Sequence, residues 1–183
     1  DVITPNGIFL IVDIPLATGY NGSKKINHIS INGDRAIISV GYGVSIFNVS
    51  RREFGDTAFS KYKDPVTGQD KTHVVNSAVI KDNIVYAATN SGVKYHEINA
   101  TFALYSEWNQ NIIAPGNFTD IDAKSIVAFA SSTQVRYGAG PSFSTLLRTF
   151  TNIQDLRVTD SQIIVTDQTQ VYVYSTGGAQ QKN

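Results

Sequence analysis

A three-strand pattern recurs along this chain and limits what the chain can fold into more than any other feature. In its clearest copy, near 75–98, short runs rich in Val, Ile and Tyr alternate with turns rich in Asn, Asp, Ser and Gly. Runs of this length between such turns are typical of antiparallel strands joined by hairpins. The middle run, from Ile84 to Thr89, has no strongly polar face, so we expect it to be covered on both sides.

The same pattern occurs near 26–59, 118–150 and 153–175. In the first two copies, the first apolar residue and the valine after the second turn are 18 residues apart, as Val75 and Val93 show. The copies begin 49, 43 and 35 residues apart, near the roughly 40–50 residue period of propeller blades. We therefore predict an all-β fold, a β-propeller of four-stranded antiparallel blades. About four blades would lie within 7–176, followed by a flexible tail at 177–183.

An apolar run from Ile8 to Ile14 is predicted to be a blade strand, since it is too short for a membrane span and contains Asp13. Two arrangements remain open for it. In a closed ring, the last unit would take this strand as its fourth. In part of a larger propeller, the rest of its blade would precede the sequence. Propellers have roughly four to eight blades, and the chain contains no Met, so we expect the rest of a larger polypeptide.

Composition excludes some classes of function. The 15 basic and 15 acidic residues are spread along the chain, whereas nucleic acid or an anionic membrane needs a concentrated positive field. Without Cys, the chain has no disulfide or thiol chemistry. The charged fraction is 16%, below the roughly 25% of average soluble domains, which favours an extracytoplasmic protein. No apolar stretch is long enough for a transmembrane segment.

The sequence predicts no catalytic residues, no metal site and no cofactor. The three histidines are scattered, and no nucleophile motif of the GxSxG kind occurs. Asp120 and Asp122 alternate on one predicted strand without the dense oxygen spacing of a calcium loop. A propeller enzyme would need paired carboxylates facing one channel, and the few glutamates fall on outer strands or connections. An enzyme is therefore the least favoured function.

Three groups of residues are candidates for binding. The first is a polar ring at the mouth of the central channel, formed by the residue after the first apolar position of each unit. Its members are Asn27, Asn76, Thr119 and Gln154. The alternative is that these side chains satisfy backbone groups at strand ends. The second is the polar segment 61–71, with Lys63, Asp64 and Lys71, which either contacts a partner or is a solvated hairpin tip. The third is Tyr42, expected to be exposed and available to a ligand.

Aromatic residues at a three-residue interval, Phe102, Tyr105 and Trp108, are predicted to form one helical turn or a loop that packs in the core. A ligand platform is the less favoured interpretation of these three rings.

Several short segments suggest a family. They are Lys25-Ile26-Asn27, Gly41-Tyr42-Gly43-Val44, Glu53 with Asp56-Thr57, and Tyr86 to Gly92. Over 7–108 the chain resembles the N-terminal β-propeller of PorZ-like proteins, surface components associated with type IX secretion in Bacteroidota. The resemblance implies an exported protein of the periplasm or outer-membrane surface. It also implies a non-enzymatic role, binding an envelope protein, glycan or glycolipid. The related propellers of hybrid two-component systems imply an alternative, the sensing of oligosaccharides.

Overall fold

The computed structural model of the protein describes residues 2–4, 7–9, 23–141 and 145–182. Strands β1 (Val2–Thr4) and β2 (Gly7–Phe9) pair with each other in a two-stranded ladder. The first four-stranded sheet follows and is a simple antiparallel meander. Its strands are β3 (Ile26–Asn32), β4 (Arg35–Val40), β5 (Gly43–Asn48) and β6 (Glu53–Phe59).

A short hairpin, β7 (Lys61–Lys63) and β8 (Asp70–Thr72), connects the first sheet to the second. The second sheet has the same meander order. Its strands are β9 (Val75–Lys81), β10 (Ile84–Thr89), β11 (Gly92–Glu97) and β12 (Ile112–Pro115). A one-turn helix, α1 (Tyr105–Trp108), lies in the connection before β12.

The third and fourth sheets repeat the meander. The third contains β13 (Asp120–Ala123), β14 (Val127–Ala130), β15 (Gln134–Gly138) and β16 (Thr145–Thr149). The fourth contains β17 (Asp155–Val158), β18 (Gln162–Thr166), β19 (Val171–Ser175) and β20 (Gln180–Lys182). The predicted all-β architecture of four-stranded antiparallel blades is confirmed. The described sheets form part of a propeller.

Local sequence explains where the hairpins turn. Between β9 and β10, Asp82 and Asn83 have φ angles of 51° and 62°. Two successive positive φ angles are the geometry of the tight turn that matches the twist of paired strands, and Asp and Asn tolerate it better than other side-chain-bearing residues. The register is then set across the whole pair, from Ile84 opposite Lys81 to Ala88 opposite Ser77.

Apolar clusters lie between consecutive sheets. Between the first and second, buried side chains from β4, β5 and β6 meet those of β9 and β10. Similar clusters join the second sheet to the third and the third to the fourth. The prediction that the strand from Ile84 to Thr89 is covered on both sides is confirmed. Val85 and Ala87 face the first sheet, whereas Tyr86 and Ala88 face the third.

The three aromatic residues before β12 belong to the core, as predicted. Phe102, Tyr105 and Trp108 are buried in the cluster between the first two sheets. Trp108 donates from Nε1 to the carbonyl oxygen of Phe102 at 3.0 Å, so its polar atom is satisfied inside the core. Helix α1 carries two of these rings against β11 and β7.

The structure corrects one prediction about the chain ends and excludes one of two arrangements that the sequence left open. The predicted flexible tail is wrong for Gln180–Lys182, which pairs with β19 as the fourth strand of the fourth sheet. That edge is therefore occupied, which excludes the first of the two open arrangements, in which an N-terminal strand completes the last unit. Of the predicted strand from Ile8 to Ile14, the described portion pairs with β1, and residues 10–14 lie outside the described residues.

Candidate functional site

The first strands of the four sheets, β3, β9, β13 and β17, lie side by side, each at the edge of its own sheet. An edge strand has backbone groups that its own sheet does not satisfy. At the first junction, between the first and second sheets, three side chains of β3 donate to carbonyl oxygens of β9. The pairs are Asn27 Nδ2 to Val75 at 2.8 Å, Ser30 Oγ to Ala78 at 2.8 Å and Asn32 Nδ2 to Ile80 at 3.1 Å.

The second junction, between β9 and β13, uses the same chemistry. Asn76 donates from Nδ2 to the carbonyl oxygen of Phe118 at 2.7 Å, and Ser77 donates from Oγ to that of Ile121 at 3.3 Å. The side chains therefore satisfy backbone groups of the neighbouring blade. This is the alternative considered for Asn27 and Asn76, except that the satisfied carbonyl belongs to the next blade.

The third junction, between β13 and β17, reverses the direction of donation. The backbone N–H of Leu156 donates to Asp120 Oδ2 at 3.2 Å, and that of Val158 donates to Asp122 Oδ2 at 2.8 Å. The two aspartates that alternate on one strand are thus acceptors for the next blade. Within the described residues, no group of three or more His, Cys, Asp or Glu side chains could hold a metal ion.

The four residues predicted to form a polar ring come together. Asn27, Asn76, Thr119 and Gln154 all line one cavity of about 350 Å³ at the beginning of the first strands. The repeat explains this convergence, because equivalent positions of parallel neighbouring strands fall at the same end. The other two members of the ring bond to residues of their own units and not to a neighbouring blade. Thr119 donates to the carbonyl oxygen of Ala130 at 3.3 Å, and Gln154 donates from Nε2 to the carbonyl oxygen of Asn152 at 3.1 Å.

Two further residues that the sequence did not single out for binding, His28 and Asp120, also line this cavity. A bulge between Ile26 and His28 interrupts the pairing of β3 with β4 at this end. His28 Nδ1 is buried and has no hydrogen-bond partner among the described residues. Burial raises the pKa of Asp120 above its ordinary value, although its bond from Ile121 N–H and the charges of His28 and Arg157 act in the opposite direction.

The 61–72 hairpin carries the predicted partner-contact residues at its exposed end. Lys71 Nζ forms an ion pair with the Asp64 carboxylate, and the backbone N–H groups of Val66 and Thr67 donate to Asp64 Oδ1 at 2.8 and 3.0 Å. These contacts, led by the bond from Lys71, lower the pKa of Asp64 well below its usual range. Lys63 is exposed on β7. The tip therefore has a defined shape although it is solvent-accessible.

The base of the hairpin is packed against the protein. Ser60 Oγ donates to the carbonyl oxygen of His73 at 2.5 Å, and the rings of Tyr62 and His73 stack with centroids 4.0 Å apart. Burial, followed by the charge of Lys94, lowers the pKa of His73 to about 4, so this imidazole is neutral at pH 7. The stack consequently anchors the hairpin without adding charge.

The sequence predicted that Tyr42 is exposed and available to a ligand. This prediction is wrong, because Tyr42 is buried. Its ring is 1% exposed and stacks on Phe59 with centroids 5.4 Å apart. Gly41 and Gly43 on either side lack the Cβ atoms that would collide with the backbone of Ser23 and Ala58. Neighbouring segments can therefore close over the turn and bury the ring.

Comparisons with known proteins agree on the fold. A family model described as the type IX secretion PorZ N-terminal β-propeller domain matches residues 1–114. PorZ of Porphyromonas gingivalis, described as an essential bacterial surface component of the type IX secretion system, aligns with a TM-score of 0.63 and 20% identity over 86% of this chain. This chain spans only 20% of that PorZ chain.

Structures with lower sequence identity align as well. A structure of the Mitotic Checkpoint Complex has a TM-score of 0.61 and 9% identity, covering 86% of this chain and 48% of the other. Hsv2 of Kluyvelomyces marxianus has a TM-score of 0.51 and 12% identity, covering 82% and 49%. Identities this low show a shared fold and carry no function. A search of curated proteins found no match.

Proposed function

Because the chain belongs to the family of PorZ N-terminal β-propeller domains, we propose that it is a non-enzymatic binding module of an exported bacterial envelope protein that serves type IX secretion. The observation that carries this proposal is the family match over residues 1–114. The solved PorZ structure supports it, since that protein is described as a surface component of the secretion system. The module would act as one part of a larger polypeptide.

An extracytoplasmic location follows from the proposal, in the periplasm or at the outer-membrane surface. The low charged fraction of 16% and the absence of Cys are compatible with such a location. Among the described residues, no helix is both long and apolar enough to cross a bilayer.

The 61–72 hairpin is the surface that we propose for the partner, an envelope protein or a surface glycolipid. A rigid tip loses little conformational entropy on binding, and the Asp64 contacts provide that rigidity. Val66 at the tip is 91% exposed and offers an apolar contact beside the charges of Lys63 and Lys71. This combination of an apolar centre and a polar surround is typical of protein-binding surfaces.

A photo-crosslinking residue placed at Val66 in the native organism would test the proposal. A matched control carries the same residue at Val171, which is 48% exposed on the fourth sheet. We expect adducts with an envelope component from position 66 only, and their loss in Lys63→Ala/Lys71→Ala. Deleting 65–69 should also reduce the export of type IX cargo. Identical adducts from both positions, or normal export after the deletion, would contradict the proposal.

A further inference from the structure

Three amide side chains of the cavity each donate one N–H to the protein itself. Asn27 and Asn76 each direct Nδ2 to a carbonyl oxygen, and Gln154 does the same with Nε2. A carbonyl only accepts, so these contacts determine which side of each amide carries the nitrogen. The three amide oxygens have no partner among the described residues and stay available to a ligand.

The cavity contains one acidic side chain. The described residues that line it include the carboxylate of Asp120 and no Lys or Arg. Arg157 Nη1 is 4.0 Å from Asp120 Oδ2 but only 3.1 Å from Asp155 Oδ1, so this arginine is shared between two carboxylates. Burial raises the pKa of Asp120, which means that its carboxylate lacks full solvation where it lies. A cation close to Asp120 would relieve that cost.

His28 provides an independent indication of a missing partner. Its Nδ1 atom is buried in the cavity wall without a hydrogen bond from any described residue. Buried polar atoms in proteins are nearly always paired, with protein, water or ligand. A cavity of about 350 Å³ also falls in the ordinary range of small-molecule sites, roughly 300–1,000 Å³.

From these three observations we infer that the cavity binds a small ligand carrying a protonated amine with neighbouring hydroxyl groups. The amine donates to the Asp120 carboxylate, and the hydroxyl groups donate to the free oxygens of Asn27, Asn76 and Gln154. An anion such as phosphate is disfavoured, because the described lining residues include a carboxylate and no Lys or Arg. The inference goes beyond the hairpin contact proposed above and concerns a separate site.

Calorimetric titration of the purified protein tests the ligand chemistry. Glucosamine and ethanolamine both carry the amine and hydroxyl, one on a sugar ring and one on an open chain as in a lipid headgroup. We expect at least one of them to bind, and the stronger of the two identifies the source. Glucose, N-acetylglucosamine and inorganic phosphate should bind at least tenfold more weakly. Equal binding of glucose or N-acetylglucosamine, or no binding of either amine, would overturn the inference.

Two matched variants separate the site from its structural surroundings. Asp120→Asn and Asp122→Asn each alter an acceptor for a backbone N–H of the fourth sheet, but only Asp120 lines the cavity. Amine affinity should fall about tenfold or more in Asp120→Asn and stay unchanged in Asp122→Asn. Gln154→Ala, at an exposed position, should weaken binding by a smaller factor. An equal loss in both aspartate variants would show a structural effect and refute the site. Lys63→Ala/Lys71→Ala should leave amine binding intact, which keeps this test distinct from that of the hairpin.

Discussion

The first and third junctions hold neighbouring blades together with opposite chemistry. At the first, neutral side chains such as Ser30 donate to carbonyl oxygens of the next blade. At the third, the carboxylates of Asp120 and Asp122 accept from backbone N–H groups. Hydrogen bonds to charged groups contribute more to stability than neutral ones. Removing one partner is also more destabilising, because the group that remains is buried without a hydrogen bond. The same arrangement of adjacent first strands is therefore held by neutral hydrogen bonds at the first junction and by hydrogen bonds to carboxylates at the third.

Trp108→Ala should have the largest effect, on the apolar layer of the first junction. The ring is fully buried between Tyr105 and Phe102, and truncation leaves a cavity and an unpaired carbonyl. We expect a loss of about 3–5 kcal/mol in the free energy of unfolding, measured by chemical denaturation. Phe150→Ala in the third junction should cost a similar amount, because the junctions differ in polar rather than apolar chemistry. A much smaller loss of stability in Phe150→Ala would show that the apolar layers of the first and third junctions also differ.

Asp122→Ala and Ser30→Ala test the polar difference with a matched pair. Both bonds are 2.8 Å long and both join first strands of adjacent sheets. Asp122→Ala should cost about 1.5–3 kcal/mol because it removes a charged acceptor, whereas Ser30→Ala should cost about 0.5–1.5 kcal/mol. Denaturant midpoints measured side by side would decide. Equal costs would mean that the carboxylate has no special role.

Lys94 provides a buried charge beside the aromatic rings of the first junction. It is 2% exposed, donates to Asn109 Oδ1 and lies 5.0 Å from the centroid of the Tyr105 ring. Burial lowers its pKa to about 8. A lowered folded-state pKa means that stability rises as pH increases from about 8 towards the unfolded value of 10.5.

Lys94→Met should therefore stabilise the protein at pH 7 by about 1–2 kcal/mol. The advantage should shrink as pH rises through 8, as followed by thermal unfolding across pH. A variant that is less stable than the parent at pH 7 would show that the Asn109 contact outweighs the cost of burying the charge.

The smallest expected effect is the acid dependence of Asp120. Its pKa is raised in the folded state, so its contribution to stability is most favourable below the unfolded value of 3.8 and declines as pH rises through the folded value. The difference in stability between the parent and Asp120→Ala should accordingly be greatest at the acid end. In Ser30→Ala, where no titrating group is altered, the difference should not change over the same range.

The repeat predicted most of the fold because blade strands are encoded locally. Runs of β-branched residues and turns of Asn, Asp and Gly indicated the first three strands of every sheet. The equivalent positions of Asn27 and Asn76 in their repeats predicted that both lie at the same end of the first strands. Gln180–Lys182 could not be found this way, since a Gln-rich segment becomes a strand only because the edge of β19 is available to it.

The features that the sequence did not predict depend on contacts between distant segments. Tyr42 sits in a glycine-rich turn, which normally predicts exposure, and its burial depends on Phe59 and on the close approach of Ser23. The sequence does not distinguish Asp120 from other polar strand residues. Its hydrogen bond from the backbone N–H of Leu156 forms only when the next sheet packs beside it. The ligand-binding roles of the polar ring and of the hairpin stay predictions.

Amide hydrogen exchange at Leu156 and Val158 tests most directly whether carboxylates hold the third junction. NMR at a fixed pH, on the parent and on Asp122→Ala, would compare the protection of these two N–H groups with that of the second-sheet core. The account predicts that protection of Val158 falls sharply in the variant while Leu156 and the Val85 region keep theirs. Unchanged protection of Val158, or a uniform loss across all sheets, would contradict it.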